Sequence, residues 1–148
     1  MRQIIDAKAI IVREEQGKDL FLLLKDKHLK WTLPGVMFEG QEDEMEDTLE
    51  ETLKNMRITR REVSDGYMFK EENHYHSEDK EDIILTTLAS AIRTDTLPNQ
   101  IDIGNNYLES RWFPYSTVLY VLRSPNQKDA FKTVCQFTGL NKQMMAVY

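Results

Sequence analysis

Met45, Leu49, Leu53 and Met56 recur at spacings of four, four and three residues. That spacing commits Glu44–Met56 to an amphipathic helix with one buried stripe. Glu44, Glu46 and Asp47 crowd its first turn, where acidic charge suits the positive end of the helix dipole. The stripe constrains the rest of the chain, because the segments on either side must supply the surface it covers. Just before it, Trp31–Leu33 is a short apolar run, and Pro34-Gly35 breaks regular structure.

Those flanking segments read mainly as strands. Ile4–Val12 is apolar and β-branched, Glu14–Asp19 with Gly17 makes a turn, and Leu20–Leu24 returns as a second buried strand. Val63–Phe69 reads as another strand, His74–Asp82 as a polar loop and Ile83–Ile92 as a further strand. Thr94–Asn106, with Pro98 and Gly104, reads as a loop leading to a strand over Tyr107–Phe113, closed by Pro114. Ser116–Arg123 is expected to be a short helix. The last helix is expected over Pro125–Phe137, with Ser124 as N-cap, Pro at its first position and Gly139 as its stop. Strands first, one helix in the middle and helices last predict an α+β sandwich. No repeat or linker divides residues 1–148, so one domain is expected.

The formal charge of −6 argues against a general grip on a nucleic-acid duplex, which needs a basic surface. It leaves room for a small phosphorylated ligand held by a few placed Lys and Arg. Cys135 is the only cysteine, which excludes an internal disulfide or a Cys-based zinc site and makes a reducing, cytoplasmic setting the expectation. No apolar run approaches the ~18 residues of a membrane span, and the N-terminal stretch lacks a signal peptide's apolar core. No membrane partner is expected.

Residues 31–58 resemble a Nudix box. The Nudix pattern is Gly, five residues, Glu, seven residues, Arg-Glu-hydrophobic, one residue, Glu-Glu, one residue, Gly-hydrophobic. Starting at Val36, it places Glu42 on the first Glu, Glu51 on the second and Ile58 on the last apolar position, without a gap. Val36, Glu50, Lys54, Asn55 and Arg57 depart from the Gly, Arg, Glu-Glu and Gly of the pattern, and Thr52 takes the hydrophobic place. The chain is most similar to the diadenosine tetraphosphate (asymmetrical) hydrolases. Phe21–Leu24 before Trp31-Thr32 resembles their second strand and box entry, and Arg111-Trp112-Phe113 resembles the end of their last strand. Phe69-Lys70-Glu71 resembles a segment in which they carry a basic residue beside the substrate. The resemblance implies a Nudix fold, a mixed curved β-sheet sandwiched between helices. It also implies metal-assisted water attack on a phosphoanhydride, with Mg²⁺ or Mn²⁺ as cofactor if the chain is active.

The same residues weaken that chemistry. Hard cations need several oxygen ligands, which the family gathers at the second Glu and at the positions three and four later. Here these are Glu51, Lys54 and Asn55, whose charges cancel. A like-charge contact at ~4 Å in an effective dielectric of ~20 costs on the order of 4 kcal/mol. That is about three decades of metal affinity. A rebuilt metal set of Glu39, Asp47 and Glu51 is the alternative, since Asp47, Glu51 and Asn55 share a helix face and Glu39 and Glu42 precede it. A plain solvated helix face is the structural reading of the same acids. The family's Arg would orient the loop carboxylate, whereas Glu50 repels Glu42.

Lys70 is the candidate phosphate contact, and Tyr67, Phe69 and Tyr75 are candidates for stacking on a nucleobase, against a core role. His74 and His76 read as a loop edge, a phosphate contact or an acid–base pair, with zinc the lesser alternative. Trp31 and Trp112 read as core. Arg57, Arg60 and Arg61 complement the helix dipole. Glu78, Asp79, Glu81 and Asp82 could supply a substitute carboxylate, and Met144–Tyr148 is an apolar tail suited to the fold or a protein partner. Three functions compete. One is an active Nudix pyrophosphohydrolase using Glu51 and Glu42. The second is a diverged module that binds a small phosphorylated nucleotide. The third is a scaffold for protein contacts, a homodimer included.

Overall fold

The computed structural model of the protein describes residues 1–61, 66–79 and 81–141. Among them are seven strands: β1 (Arg2–Glu15), β2 (Lys18–Asp26), β3 (Trp31–Thr32), β4 (Gly35–Glu39), β5 (Met68–His76), β6 (Asp82–Arg93) and β7 (Tyr107–Phe113). Three α-helices accompany them: α1 (Met45–Asn55), α2 (Tyr115–Val121) and α3 (Pro125–Thr138). The strands form one mixed sheet in the order β3-β2-β1-β6-β5, with β4 added on β1 and β7 on β2. Only β1 and β6 run parallel; every other pairing is antiparallel.

The sheet is organised by β1, which changes neighbours along its length. Ile4–Lys8 pair with β4, Val12–Glu15 pair with β2, and Arg2–Val12 lie along β6 throughout. At the changeover the Ala9 N–H donates to the Pro34 carbonyl at 2.8 Å. Because β1 is covered on both faces, its middle is a continuous apolar run rather than an alternating one. Ile5, Ala7, Ala9 and Ile11 pack with Met45, Leu49 and Leu53 of α1, as the helical stripe requires. Ile10 and Val12 face the other way, toward Phe131, Val134 and Cys135 of α3. The rings of Phe21 and Phe131 meet edge to face at 5.0 Å there. The sheet therefore lies between α1 on one face and α2 with α3 on the other.

Local signals account for most boundaries. Gln16 and Gly17 both have positive φ (52° and 77°), the geometry of a two-residue hairpin turn between the paired residues Glu15 and Lys18. The Ser124 hydroxyl accepts from the Gln127 N–H, and Gly139 ends α3 with a φ of 74°. No helix among the described residues is long and apolar enough to cross a membrane.

Three expectations need correction. Pro34-Gly35 does not end regular structure, because Gly35 opens β4. A side chain at Gly35 would drive into the Ala7 carbonyl, so here a glycine serves close strand approach. His74–His76 belong to β5 rather than to a loop, and the turn is confined to the segment closed by Ser77 and Glu81. Polar strand residues disguised this edge, which has water on one side. The strand expected over Val63–Phe69 begins at Met68; its residues 63–65, and the apolar tail 144–148, lie outside the described residues.

After α1, Arg57 holds a φ of 61° where no side chain is favoured. Beyond it, Thr96 Oγ1 accepts the Thr59 N–H at 2.9 Å, and Thr94 Oγ1 accepts the Thr96 N–H at 3.1 Å. Arg57→Gly is expected to stabilise the chain by ~1 kcal/mol. Thr96→Val, which strands the Thr59 N–H, is expected to cost about 1–3 kcal/mol. Urea unfolding midpoints check both.

Candidate functional site

The turn into α1 is assembled from both faces of the sheet. Gln127 Oε1 on α3 accepts the Leu33 N–H at 2.7 Å and the Thr32 hydroxyl at 3.0 Å, fixing the entry from β3. Next, β4 carries the chain along β1 as far as Glu39, and the Gly40 N–H donates to the Gln3 carbonyl at 3.1 Å. A short 3-10 turn over Glu42–Glu44 leads into α1, with the Gln41 N–H donating to Glu44 Oε1 at 3.4 Å. Since Met45, Leu49 and Leu53 are buried, helical geometry leaves Asp47, Glu50, Glu51, Lys54 and Asn55 exposed.

Glu42 and Lys70, separated in the sequence by 28 residues, are brought together. Lys70 Nζ lies 2.5 Å from Glu42 Oε1 and 3.5 Å from Glu72 Oε1. Lys70 pairs with Leu88 in the sheet register, which places it on the α1 side. The hydrogen bond to Glu42 raises the Lys70 pKa, a gain only partly offset by desolvation. Glu39 is engaged as well, by Arg2 Nε at 3.4 Å and Nη2 at 3.3 Å. Arg2 in turn lies 4.0 Å from Glu81, so that loop carboxylate is committed to the same guanidinium. Asp47 and Glu51 enter no ion pair among the described residues.

The aromatic candidates do not converge on Lys70. Phe69 is 8% exposed and belongs to the core. Tyr67 stacks on Phe137 at 4.5 Å, with the rings 14° apart. Tyr75 remains accessible, but strand alternation puts it on the face of β5 opposite Lys70. His76 Nδ1 is 2.9 Å from Asp82 across the β5–β6 pair. Trp112 is packed against the α1-side core, as expected of a core residue.

Trp31 has a second role that its packing concealed. Its ring meets Phe113 edge to face at 5.1 Å, yet Lys25 Nζ and the Arg111 guanidinium lie 5.6 and 5.9 Å from its centroid. It lines a cleft of about 510 Å³ together with Lys25, Lys30, Tyr120, Arg123 and Gln127. Tyr120 is 86% exposed there. A cationic, aromatic cleft on a chain of net charge −6 suits an anionic ligand with an aromatic ring. The sequence signal for it was the basic run Lys25, Lys27, His28 and Lys30 just ahead of Trp31.

No family model and no curated protein matches the sequence. Solved structures do. A C. elegans Ap4A hydrolase binary complex aligns with a TM-score of 0.63 at 16% identity, covering 92% of this chain and 98% of that one. This is the Nudix fold. A Nudix hydrolase of Listeria monocytogenes aligns at a TM-score of 0.56 and 14% identity, covering 96% of this chain and 94% of that one. The Nudix domain of Shewanella oneidensis NrtR, complexed with ADP ribose, aligns at 0.54 and 16% identity, covering 90% and 85% respectively.

On this Nudix fold the residues do not fit the divalent cation that the box implies. Glu51 has Lys54 and Asn55 as its neighbours toward the C-terminus on the helix face. Among the described residues no three His, Cys, Asp or Glu side chains are grouped to hold a metal, the set Glu39, Asp47 and Glu51 included.

The raised Lys70 pKa fixes the sign of a pH effect. The pair's contribution is full below the ordinary lysine value of 10.5 and is lost as pH rises through the higher folded value. Glu42→Gln is expected to return the Lys70 titration toward that ordinary value. NMR titration of the lysine side chains checks it.

Proposed function

We propose that this chain binds a small phosphorylated nucleotide, of the kind in which a nucleoside diphosphate is linked to a further group, with pyrophosphohydrolase activity weak or lost. The observation that carries this reading is the cleft around Trp31, where Lys and Arg side chains meet the half-buried Trp31 ring and the exposed ring of Tyr120 on an otherwise acidic chain. Phosphate oxygens would take the Lys and Arg donors and a base would stack on aromatic surface. Structural neighbours named for Ap4A and crystallised with ADP ribose support the same ligand class.

The α1 face supports the second half of the reading. A hydrolase of this kind would need Mg²⁺ or Mn²⁺ held by several carboxylates. Here Glu39 is taken by Arg2 and Glu42 by Lys70, while Lys54 stands beside Glu51. The metal set Glu39, Asp47 and Glu51 could form only by breaking the Arg2 pair. Glu51 and Glu42 are therefore inherited catalytic positions rather than a working pair, and Lys70 and Tyr75 remain candidate ligand contacts on opposite faces of β5.

Hydrolysis of diadenosine tetraphosphate and a panel of nucleoside diphosphate derivatives with Mg²⁺ or Mn²⁺ tests this. The expected result is no turnover, or a trace unchanged by Glu51→Gln, together with saturable quenching of Trp31 fluorescence by nucleotide. Metal-dependent turnover that collapses in Glu51→Gln would sink the proposal in favour of an active enzyme. Absence of saturable binding would leave the scaffold reading.

A further inference from the structure

Tyr120 and Leu29 are 86% and 67% exposed, more than any other large apolar side chain among the described residues except Met1. They come from different elements, α2 and the turn between β2 and β3, yet both line the cleft around Trp31. Leu29 also holds a φ of 64°, a conformation that crowds any Cβ and that a glycine adopts freely. The turn is fixed in that shape. Asp26 Oδ1 accepts the His28 and Lys30 N–H groups at 2.9 and 3.0 Å, and the Leu29 N–H donates to the Asp26 carbonyl at 3.0 Å. A leucine is thus kept at the tip of a well-bonded turn against two penalties, backbone strain and exposure to water. With two-thirds of its surface in solvent, packing within the chain offsets little of either.

Cations surround this tip. Lys27, His28 and Lys30 flank Leu29 in the turn, and Arg123 lines the cleft together with Tyr120. None of Lys27, Lys30 and Arg123 enters an ion pair among the described residues. The turn's one carboxylate, Asp26, is occupied with backbone N–H groups. We propose that this tip docks the protein on an anionic lipid surface, with Leu29 and Tyr120 entering the headgroup layer and Lys27, Lys30 and Arg123 meeting lipid phosphates. The inference goes beyond the nucleotide reading and does not require it. Attachment of this kind lies on the bilayer and needs no spanning segment. Each basic side chain near such a surface strengthens attachment about fivefold, so three give about two orders of magnitude, to which the apolar side chains add. The rest of a chain of net charge −6 is repelled, so the tip also fixes which way the protein faces. An acidic protein surface offers the same charge, but it would need a recess shaped for each protruding side chain. A headgroup layer admits leucine and tyrosine without one.

The backbone of Leu29 supplies a variant that separates docking from folding. Leu29→Gly removes the apolar tip and relieves the positive φ at once, so its urea midpoint is expected to hold or rise while attachment falls. Lys27→Glu reverses one charge at an exposed position outside the cleft. The experiment is co-sedimentation of the full chain with phosphatidylcholine vesicles, with and without phosphatidylserine, at low and at physiological salt. Wild type, Leu29→Gly, Tyr120→Ser and Lys27→Glu are compared. A parallel series adds soluble glycerophosphoserine, which separates capture of a free phosphate from docking on a surface.

Wild type is expected to sediment with phosphatidylserine vesicles and not with phosphatidylcholine alone, and to be released as salt rises. Attachment is expected to fall about tenfold in Leu29→Gly and in Tyr120→Ser. In Lys27→Glu, where two units of charge are lost, it is expected to fall about 25-fold. Glycerophosphoserine at the same phosphate concentration is expected to leave it unchanged. A wild type that sediments with neither vesicle would overturn the proposal and leave the tip to an acidic protein. Attachment that Leu29→Gly retains in full would overturn it too, since charge alone would then be acting. So would release by glycerophosphoserine, which would put a single phosphate in the cleft in place of a surface on the tip. ADP binding is decided separately, by quenching of Trp31 fluorescence without vesicles, so this proposal and the nucleotide reading can fail independently.

Discussion

Everything in this structure hangs on a strand that is buried from both sides. From Ala9 to Val12, β1 gives alternate side chains to two separate cores, and along its length its backbone is shared successively between β4 and β2. That stretch has no polar face, which is why Ala9, Ile10, Ile11 and Val12 run together without alternation. It also dictates where the turn into α1 can lie. The chain leaves β3, crosses at Pro34 and returns along the first half of β1, because that is where β1 has an unfilled edge. The acidic residues of the turn are placed by backbone pairing, before any side-chain preference acts.

Much of this architecture was legible in the sequence. The stripe Met45, Leu49, Leu53, Met56 announced α1, and the Ser124, Pro125 and Gly139 signals bounded α3 within a residue. Tyr107–Phe113 was found at its observed limits. What escaped was set by partners distant in the chain. Gly35 looks like a helix breaker or turn residue until the Ala7 carbonyl is seen beside it. His74–His76 look like loop until β6 pairs with them, since an edge strand with water on one side needs no hydrophobic alternation to form.

The candidate site divides in the same way. That Lys54 and Asn55 stand beside Glu51 on one exposed helix face could be read from helical spacing alone, because it concerns residues one turn apart. That Lys70 holds Glu42, and Arg2 holds Glu39, could not, because each pair joins elements that only the sheet brings together. Trp31 shows a third case. Its edge-to-face contact with Phe113 is the core role expected of tryptophan, while its other sides meet Lys25 and Arg111. Burial class is a property of a whole residue, whereas recognition uses one face of it.

The changeover along β1 gives the Glu42–Lys70 contact a mechanical meaning. Among the described residues β4, which leads to Glu42, is paired only to β1, and β5, which carries Lys70, is paired only to β6. Their backbones share no hydrogen bonds, and the ion pair spans the two strands between them like a string across a bow. The angle between those outer strands is the accumulated twist of the sheet. The string therefore ties the turn to the far flank of the sheet by side chains alone, while α1 is seated independently on its buried stripe.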